Sequence, residues 1–381
     1  MLDWFYTNAR DLPWRRTRDP YAIWISEIML QQTQVKTVIP FWNRWMKALP
    51  TIEAAAQAPS AKIHKLWEGL GYYTRVRNLQ KAAQIIMERH GGKFPEKFED
   101  VLDLPGIGRY TAGAICSIAF NQPTPILDGN VIRVLTRLFG IAANPKEKVT
   151  NAQLWQLAED LVGCAKNAKE TQTLKAESGK RKAEMSQSLL TSAATFTGSS
   201  SALNQALMEL GALVCTPRNA QCLICPVKKL CAAFKENRVE ELPNLGKRET
   251  ATARHFIAFA VEHDGKFFVQ QRPAGVVNAH LWEFPNAEAG ARPGKPQELF
   301  AECNALRVTD PRSVKIKPLC TVKHSITRYR ITLEAFSVSL RKRPAKADGR
   351  WLTPAEFDSV AFSSAHKKLA SAAAKSILSG R

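Results

Sequence analysis

The chain has 381 residues, enough for two or three domains with hydrophobic cores. Lysine and arginine number 54 against 34 aspartates and glutamates, and this net charge of +20, spread along the chain, favours a polyanionic partner such as nucleic acid. The sequence has no run of about eighteen apolar residues, so we expect no membrane span, and residues 1–18 lack the apolar segment of a signal peptide. We therefore expect a cytoplasmic protein.

Residues 2–140 have the apolar periodicity of helices. Asp19-Pro20 predicts the start of a helix, with Asp19 as the N-cap and proline at the first position. Glu27 is the unusual residue of this helix because its neighbours are apolar: Trp24, Ile25, Ile28 and Met29. A carboxyl group buried there must be paired or protonated, so Glu27 is either a structural residue or a general acid.

The segment 104–113 reads LPGIGRYTAG, and Leu127-Asp128-Gly129-Asn130 follows after an apolar helix. Bare amides at a helix start bind phosphate, although a plain helix–helix turn is the alternative. We expect Gly108 to be intolerant of any side chain, through a forbidden φ or crowding. Asp128 falls at a helix start, where it caps the helix or holds a negative charge. A protonated Glu27 beside an ionised Asp128 suits protonation of a leaving group with stabilisation of a cation.

Residues 70–77 read LGYYTRVR and interleave aromatic side chains with arginines between two predicted helices. Such a loop is typical of insertion into a base stack, or of a tyrosine pair that covers the core.

Four of the eight cysteines crowd into a short segment at Cys215, Cys222, Cys225 and Cys231. In a cytosolic chain this crowding indicates a metal site rather than disulfides, and both zinc and an iron–sulfur cluster are chemically allowed. Residues 166–200 are rich in Lys, Glu, Ser and Thr, which predicts a flexible insertion, with a charged helix as the alternative.

The composition changes after Arg238, and we expect a linker over 236–253. From residue 254 the period becomes that of strands, with a hairpin of Phe256–Val261 and Phe267–Gln271 joined at Asp264-Gly265. Residues 328–340 alternate as well, and helices are predicted over 297–306 and 364–378. Residues 254–381 therefore form a predicted α+β domain.

Three motifs together resemble the MutY family of adenine DNA glycosylases, in the iron–sulfur branch of the helix-hairpin-helix-GPD superfamily. They are LPGIGRYTAG with Asp128, the cysteine spacing, and Ser26–Gln34, which reads SEIMLQQTQ. The resemblance implies a two-part fold: an all-α glycosylase domain over 1–235 with the hairpin at about 104–113 and an iron–sulfur loop at 215–231, then a Nudix-like domain. It also implies a [4Fe-4S] cluster bound by the four cysteines. Residues 1–19 are expected to help build the cluster subdomain.

The resemblance implies a role for individual residues. Glu27 would protonate adenine N7 and Asp128 would stabilise the oxocarbenium ion, with Tyr110 and Asn130 in the same pocket. Tyr110 stands where lyase-competent relatives carry lysine, which implies hydrolysis without efficient strand cleavage. The resemblance implies three further sets of residues. The adenine pocket would be lined by Trp14, Arg15, Leu30 and Glu209. Gln32 and Tyr72 would enter the duplex, and the amides of Gly106 and Gly108 would bind a phosphate.

The segment LWEFP at 281–285 is similar to the Nudix-like domain of MutY proteins, while residues 298–306 lack the run of acids that holds Mg2+ in Nudix hydrolases. By the resemblance this domain reads 8-oxoguanine, with Ile326-Thr327-Arg328 where many relatives carry Phe-Ser-His. Thr327 would offer a hydroxyl and Arg328 a cation.

The function implied is excision of adenine paired with 8-oxoguanine or guanine in duplex DNA, by a monomer of bacterial type that associates with the nucleoid. A bifunctional glycosylase/lyase of the endonuclease III type and a non-catalytic iron–sulfur DNA-binding protein are the alternatives.

Overall fold

The computed structural model describes residues 1–176, 199–246, 250–289, 296–302, 314–326, 328–343 and 348–379. Contacts divide the chain into two units, Met1–Gln57 with Asn78–Arg248 and Ala58–Arg77 with Glu249–Arg381. This grouping differs from the predicted domains by placing residues 58–77 with the C-terminal part. In the described ranges, no helix is both long enough and apolar enough to cross a membrane.

Helices build the first unit and continue into the 58–77 segment. They are α1 (Leu2–Asn8), α2 (Pro20–Leu30), α3 (Val35–Ala48), α4 (Ile52–Gln57), α5 (Ser60–Trp67), α6 (Thr74–Arg89), α7 (Phe98–Leu102), α8 (Arg109–Phe120), α9 (Gly129–Leu138), α10 (Lys148–Ala176), α11 (Ser199–Leu213) and α12 (Ala232–Lys235). Short 3-10 helices lie at Pro13–Arg16, Cys222–Ile224 and Lys228–Leu230. The predicted helical first half is confirmed.

Helix α2 begins as its sequence predicts. Asp19 is the N-cap, its carboxylate accepts a hydrogen bond of 3.0 Å from the Tyr21 N–H, and proline follows. The residues from Tyr21 to Met29 are all buried, so this helix runs through the core and carries Glu27 with it.

The turn between α7 and α8 depends on one of its two glycines. Gly106 has φ +81°, and a Cβ there would lie 2.8 Å from the Cβ of Asn78. Gly108 has φ −102°, caps α8, and a Cβ there would have no atom within 4 Å. The prediction that Gly108 carries the forbidden φ is therefore wrong, because that requirement belongs to Gly106.

A second core joins α9, α10 and α11 through Val131, Leu135, Leu154 and Leu207. Side chains of the first residues and of the cysteine loop pack on the same core: Met1, Leu2, Trp4, Cys215, Cys225 and Val227. The N-terminal helix therefore helps to build the cysteine subdomain.

The predicted insertion over 166–200 begins inside α10, which continues to Ala176. The helical alternative thus holds for its first residues, and residues 177–198 lie outside the described chain.

The second unit contains a mixed sheet of β1 (Thr252–His263), β2 (Lys266–Gln271), β3 (Trp282–Glu283), β4 (Asn286–Ala289), β5 (Ile316–Ile326), β6 (Tyr329–Ser339) and β7 (Arg350–Leu352). Its order is β3-β2-β1-β6-β5, with β4 on β1 and β7 on β2. The predicted hairpin of β1 and β2 is confirmed, with His263 opposite Lys266 and positive φ at both turn residues. The parallel pairing of β1 with β6 and the strand β5 were not predicted.

Alternate residues of β1 face opposite sides of the sheet. Ala258 and Ala260 contact the cluster that contains helix α14 (Ser364–Ser379), and Phe259 contacts the cluster that contains α13 (Pro296–Glu302). A 3-10 helix at Pro354–Ser359 precedes α14. The unit is therefore a sheet covered by a helix on each face.

Replacement of Gly106 by Ala should destabilise the protein by about 1–3 kcal/mol, because the new Cβ meets Asn78 and the backbone adopts a left-handed φ. Urea unfolding measures the change. Gly108→Ala is the matched control, and equal stability losses for the two variants would contradict our assignment of the constrained glycine.

Candidate active site

A cavity of about 550 Å³ opens in the first unit between α2, the start of α8, the start of α9 and α11. Nine of the residues singled out from the sequence line it: Trp14, Arg15, Glu27, Leu30, Gln32, Tyr110, Asp128, Asn130 and Glu209. Residues from five separate stretches of sequence thus meet around one space.

Glu27 lies on the cavity wall with 5% of its surface exposed. The Tyr110 hydroxyl donates a hydrogen bond of 2.8 Å to Glu27 Oε2. Burial raises the pKa of Glu27 to about 7, and the negative charge of Asp128 adds to the rise, while the Tyr110 hydrogen bond and Arg15 oppose it. A carboxyl group with this pKa holds a proton near neutral pH and can release it, as a general acid must.

Tyr110 stays a hydrogen-bond donor in this site. Burial raises its pKa well above the ordinary value, and the negative charges of Glu27 and Asp128 raise it further. Its hydroxyl also lies 3.8 Å from the sulfur of Met208. Because the phenol keeps its proton, it holds one oxygen of Glu27 in a fixed position.

Asp128 is the N-cap of α9, and both of its carboxylate oxygens accept hydrogen bonds. The Val131 N–H donates to Oδ1 at 2.7 Å, and the Asn130 amide donates to Oδ2 at 2.8 Å. These two donors fix the orientation of the carboxylate at the start of the helix. Asp128 thus caps the helix and presents an anion to the cavity.

Arg133 fixes the amide that contacts Asp128. Its guanidinium donates to Asn130 Oδ1 at 2.8 Å, to the Gly211 carbonyl at 2.7 Å and to the Cys215 carbonyl at 2.6 Å. A Cβ on Gly211 would lie 2.6 Å from the Cβ of Asn130, so only glycine lets α11 approach so closely. Sequence reasoning missed both Arg133 and Gly211.

Glu209 is a buried anion with two cationic partners. Arg10 binds it through three N–H groups at 2.7–2.9 Å, and Arg15 donates to Oε2 at 2.9 Å. Burial raises the pKa of Glu209, but the hydrogen bonds from both arginines outweigh burial and lower it to about 2. Glu209 is therefore a buried charge and not a charge on the helix surface.

Arg10 is the partner that sequence reasoning missed. The loop before α2 contains four arginines, Arg10, Arg15, Arg16 and Arg18. Arg10 and Arg15 bind Glu209, whereas Arg16 pairs with Asp11 at the surface. The density of arginines was the available signal, but it does not identify which of them enters the site.

The cavity rim is shaped by Trp14, Leu30 and Gln32. Trp14 is 6% exposed and contacts Trp42 edge to face, with ring centroids 6.0 Å apart. Gln32 follows α2 with φ +56°, a conformation that costs free energy for a residue with a side chain. Such a residue at a cavity mouth indicates a function for its side chain.

Some expected residues do not line this cavity. Tyr72 belongs to the second unit, where it is 44% exposed with φ +48°. Gly106 and Gly108 lie in the turn before α8, and Arg328 follows strand β5. Thr327 lies outside the described residues.

The four cysteines Cys215, Cys222, Cys225 and Cys231 line a second, small cavity. Arg137 lies against it, with its guanidinium 3.4 Å from the Cys215 sulfur and its carbonyl 3.4 Å from the Cys231 sulfur. Within the described ranges, no group of three or more His, Cys, Asp and Glu residues is arranged to hold a metal ion. Four thiols around one space beside a buried cation are nevertheless a donor set suited to an anionic iron–sulfur cluster.

Comparison with known proteins agrees with this geometry. Residues 25–160 match the HhH-GPD superfamily base excision DNA repair protein, and residues 257–372 match the NUDIX domain. Over 97% of its length the chain is 33% identical to the adenine DNA glycosylases of Mus musculus and Homo sapiens, covering 76% and 72% of them. It is 36% identical to that of Buchnera aphidicola subsp. Schizaphis graminum, over 75% of this chain and 73% of the relative.

Glu209→Gln should lower the free energy of unfolding at pH 7 by about 2–3 kcal/mol, since it removes a charge that two arginines stabilise. The folded-state pKa is lower than the unfolded one, so this stabilisation is present above pH 4.5 and is lost as the pH falls towards 2. Chemical denaturation at several pH values measures it. Glu159→Gln, at an exposed site, is the control, and parallel pH profiles for Glu209→Gln and wild type would refute the ion pair.

Proposed function

The chain belongs to the adenine DNA glycosylase family, and we propose that it hydrolyses the N-glycosidic bond of adenine paired with 8-oxoguanine or guanine in duplex DNA. The observation that carries this proposal is one cavity that holds a carboxyl group with a pKa of about 7, Glu27, and a hydrogen-bonded anion, Asp128. The opposite environments of these two groups fit acid-assisted departure of a base from a sugar.

Glu27 supplies the proton. Adenine is a poor leaving group as an anion, and protonation at N7 lets it depart neutral. The Tyr110 hydroxyl occupies Glu27 Oε2, which leaves Oε1 to carry the proton towards the base. After transfer, the same hydroxyl stabilises the carboxylate that remains.

Asp128 stabilises the sugar. Loss of the base leaves positive charge on C1′, and an adjacent carboxylate lowers the energy of that state without moving. The Val131 and Asn130 donors hold the carboxylate in one orientation. An oxygen of this carboxylate is also suited to form a short-lived bond with C1′, as in retaining glycosidases, before water attacks that carbon.

The proposed reaction ends with hydrolysis of the N-glycosidic bond, and the DNA strand is not cut. A lyase needs an amine that forms a Schiff base with C1′. The cavity contains arginines but no lysine among its lining residues, and Tyr110 occupies the hairpin position where lyase-competent relatives carry lysine. The abasic product should therefore remain intact until alkali or heat cleaves it.

The four cysteines fit a [4Fe-4S] cluster, with Cys215, Cys222, Cys225 and Cys231 as its ligands. Such a cluster would cross-link the loop and act as a structural and redox group. Arg137 compensates negative charge on the Cys215 side, because it donates to that sulfur and is itself buried.

The second unit is the proposed reader of 8-oxoguanine, through the turn between β5 and β6. In this turn the Arg328 guanidinium lies 5.3 Å from the Tyr329 ring centroid and donates to the Tyr329 hydroxyl at 3.2 Å. This cation is proposed to contact the oxidised base, together with Thr327.

The deciding experiment is single-turnover adenine release from duplexes with adenine opposite 8-oxoguanine, guanine or cytosine. We expect release opposite 8-oxoguanine and guanine, little opposite cytosine, and strand breaks only after alkali. No release from any duplex would reject the glycosylase, whereas breaks without alkali would favour the bifunctional alternative.

Glu27→Gln should slow adenine release at least about 100-fold, because the amide cannot protonate the base. Asp128→Asn should slow it by a comparable factor, through loss of the charge that faces C1′. Both variants should bind the mismatched duplex like wild type. Release by Glu27→Gln within about tenfold of wild type, a barrier difference of about 1.4 kcal/mol, would make Glu27 a structural residue.

The rate of adenine release should fall as the pH rises through about 7, because Glu27 is active only when protonated. Single-turnover rates at saturating enzyme from pH 5 to 9 measure this limb. In Glu27→Gln the residual rate should lose it, and an unchanged alkaline limb would mean that another group titrates.

Purified protein should be brown and hold about four irons per chain. Cys222→Ala should lose iron and show a lower unfolding temperature, whereas Cys164→Ala, at an exposed site outside the loop, should do neither. Stoichiometric zinc without iron, after anaerobic purification, would contradict the cluster.

Arg328→Ala should reduce the rate advantage of 8-oxoguanine over guanine opposite adenine about tenfold, the value of roughly one charged hydrogen bond. Arg341→Ala, beyond the end of β6, serves as the charge-matched control. An unchanged ratio would place the reader elsewhere in the second unit.

A further inference from the structure

The loop between α5 and α6 is held in an unusual backbone conformation. Gly69, Gly71 and Tyr72 all have positive φ, at +104°, +72° and +48°. Glycine adopts such angles freely, but tyrosine does so only when surrounding contacts fix it. The loop is therefore constrained by its neighbours.

Two side chains next to the loop provide these contacts. The Trp67 indole N–H donates to the Gly71 carbonyl at 3.0 Å, and Arg75 donates to the same carbonyl at 3.1 Å. The Arg75 guanidinium also lies 5.5 Å from the centroid of the Tyr72 ring. Tyr72 is thus an exposed ring on a rigid base, suited to insertion between stacked bases.

Glu68, immediately before this loop, is anchored to the C-terminal part of the same unit. Its Oε1 accepts a hydrogen bond of 3.0 Å from the Phe362 N–H. Its Oε2 accepts from Lys367 at 2.6 Å and from Lys65 at 2.8 Å. Only 5% of the Glu68 side chain is exposed, although 49% of the Lys367 side chain is, and both carboxylate oxygens of Glu68 accept hydrogen bonds.

Phe362 and Lys367, the two partners of Glu68 that are distant in sequence, lie in segments that pack on the sheet. The Trp282 N–H of β3 donates to the Ala361 carbonyl at 2.9 Å, which joins the Phe362 segment to the sheet edge. Lys367 lies in α14, which shares a core with β5 through Val322. Strand β5 leads directly to the turn that contains Arg328.

We propose that Glu68 is a positioning residue that fixes the Tyr72 loop to the Nudix-like domain, so that insertion into the duplex and reading of the opposite base occur in one register. The proposal rests on the proposed function, since duplex DNA is the substrate that both elements contact. Glu68 itself touches neither base, because its carboxylate oxygens are occupied by protein donors.

The test uses the full chain and a duplex that contains 2-aminopurine beside the base opposite a non-hydrolysable 2′-fluoro adenosine. Insertion of a side chain unstacks 2-aminopurine and increases its fluorescence. Wild type should give a large increase. Tyr72→Ala removes the inserting ring and Glu68→Ala removes charge-assisted hydrogen bonds, so each should reduce the increase about tenfold. Asp358→Asn is the control, since this carboxylate also lies near Lys65, at 4.0 Å, but its side chain is 93% exposed.

Glu68→Gln and Lys367→Met test the same contact with smaller changes. Glu68→Gln keeps an acceptor for the Phe362 N–H and should retain part of the fluorescence increase, and Lys367→Met should add little to Glu68→Gln in the double variant. Both variants should also lower the ratio of adenine release opposite 8-oxoguanine to release opposite guanine.

Two results would overturn the proposal: a full fluorescence increase in folded Glu68→Ala or Glu68→Gln, or an increase that Tyr72→Ala leaves unchanged. The first would make the Glu68 contacts merely structural, and the second would remove the loop from the duplex. Failure of wild type to release adenine would reject the proposed function alone, because the fluorescence measurement involves no cleavage.

Discussion

The site depends on the burial of a single carboxyl group in helix α2. The residues from Tyr21 to Met29 are all buried, and Glu27 lies among them. Burial raises the pKa of Glu27 to about 7 and outweighs the opposing effects of the Tyr110 hydrogen bond and Arg15. The Tyr110 hydroxyl makes this burial tolerable by donating a hydrogen bond to Glu27.

The position of Asp128 depends on a close approach to α8. A Cβ on Gly113 would lie 2.3 Å from the Pro125 carbonyl, so glycine lets the segment that leads to Asp128 pass directly against α8.

Three carboxyl groups line this cavity, and each has different surroundings. Burial dominates at Glu27 and raises its pKa to about 7, whereas hydrogen bonds from two arginines dominate at Glu209 and lower its pKa to about 2. Asp128 is held by a backbone N–H and an amide at a helix start. Position in the fold, rather than residue type, thus separates the acid from the two anions.

The sequence allowed prediction of the features that depend on residues close together in the chain. Asp19-Pro20 fixes the start of α2, and the apolar neighbours of Glu27 already indicated a buried carboxyl group. Gly106 could not be distinguished from Gly108, because Asn78, which excludes a side chain at the former, lies in another helix. The grouping of residues 58–77 with the C-terminal unit could not be predicted either. It involves a hydrogen bond between Glu68 and Phe362, which are 294 positions apart in the sequence.

Helix α9 joins the two parts of the first unit that carry function. Asn130, Arg133 and Arg137 follow one another at spacings of three and four, which places them on one face of the helix. Asn130 contacts the Asp128 carboxylate, Arg133 links Asn130 to the Cys215 carbonyl, and Arg137 contacts the Cys215 sulfur. The cysteine loop therefore helps to hold Asp128 in place, because one helix is hydrogen-bonded to both.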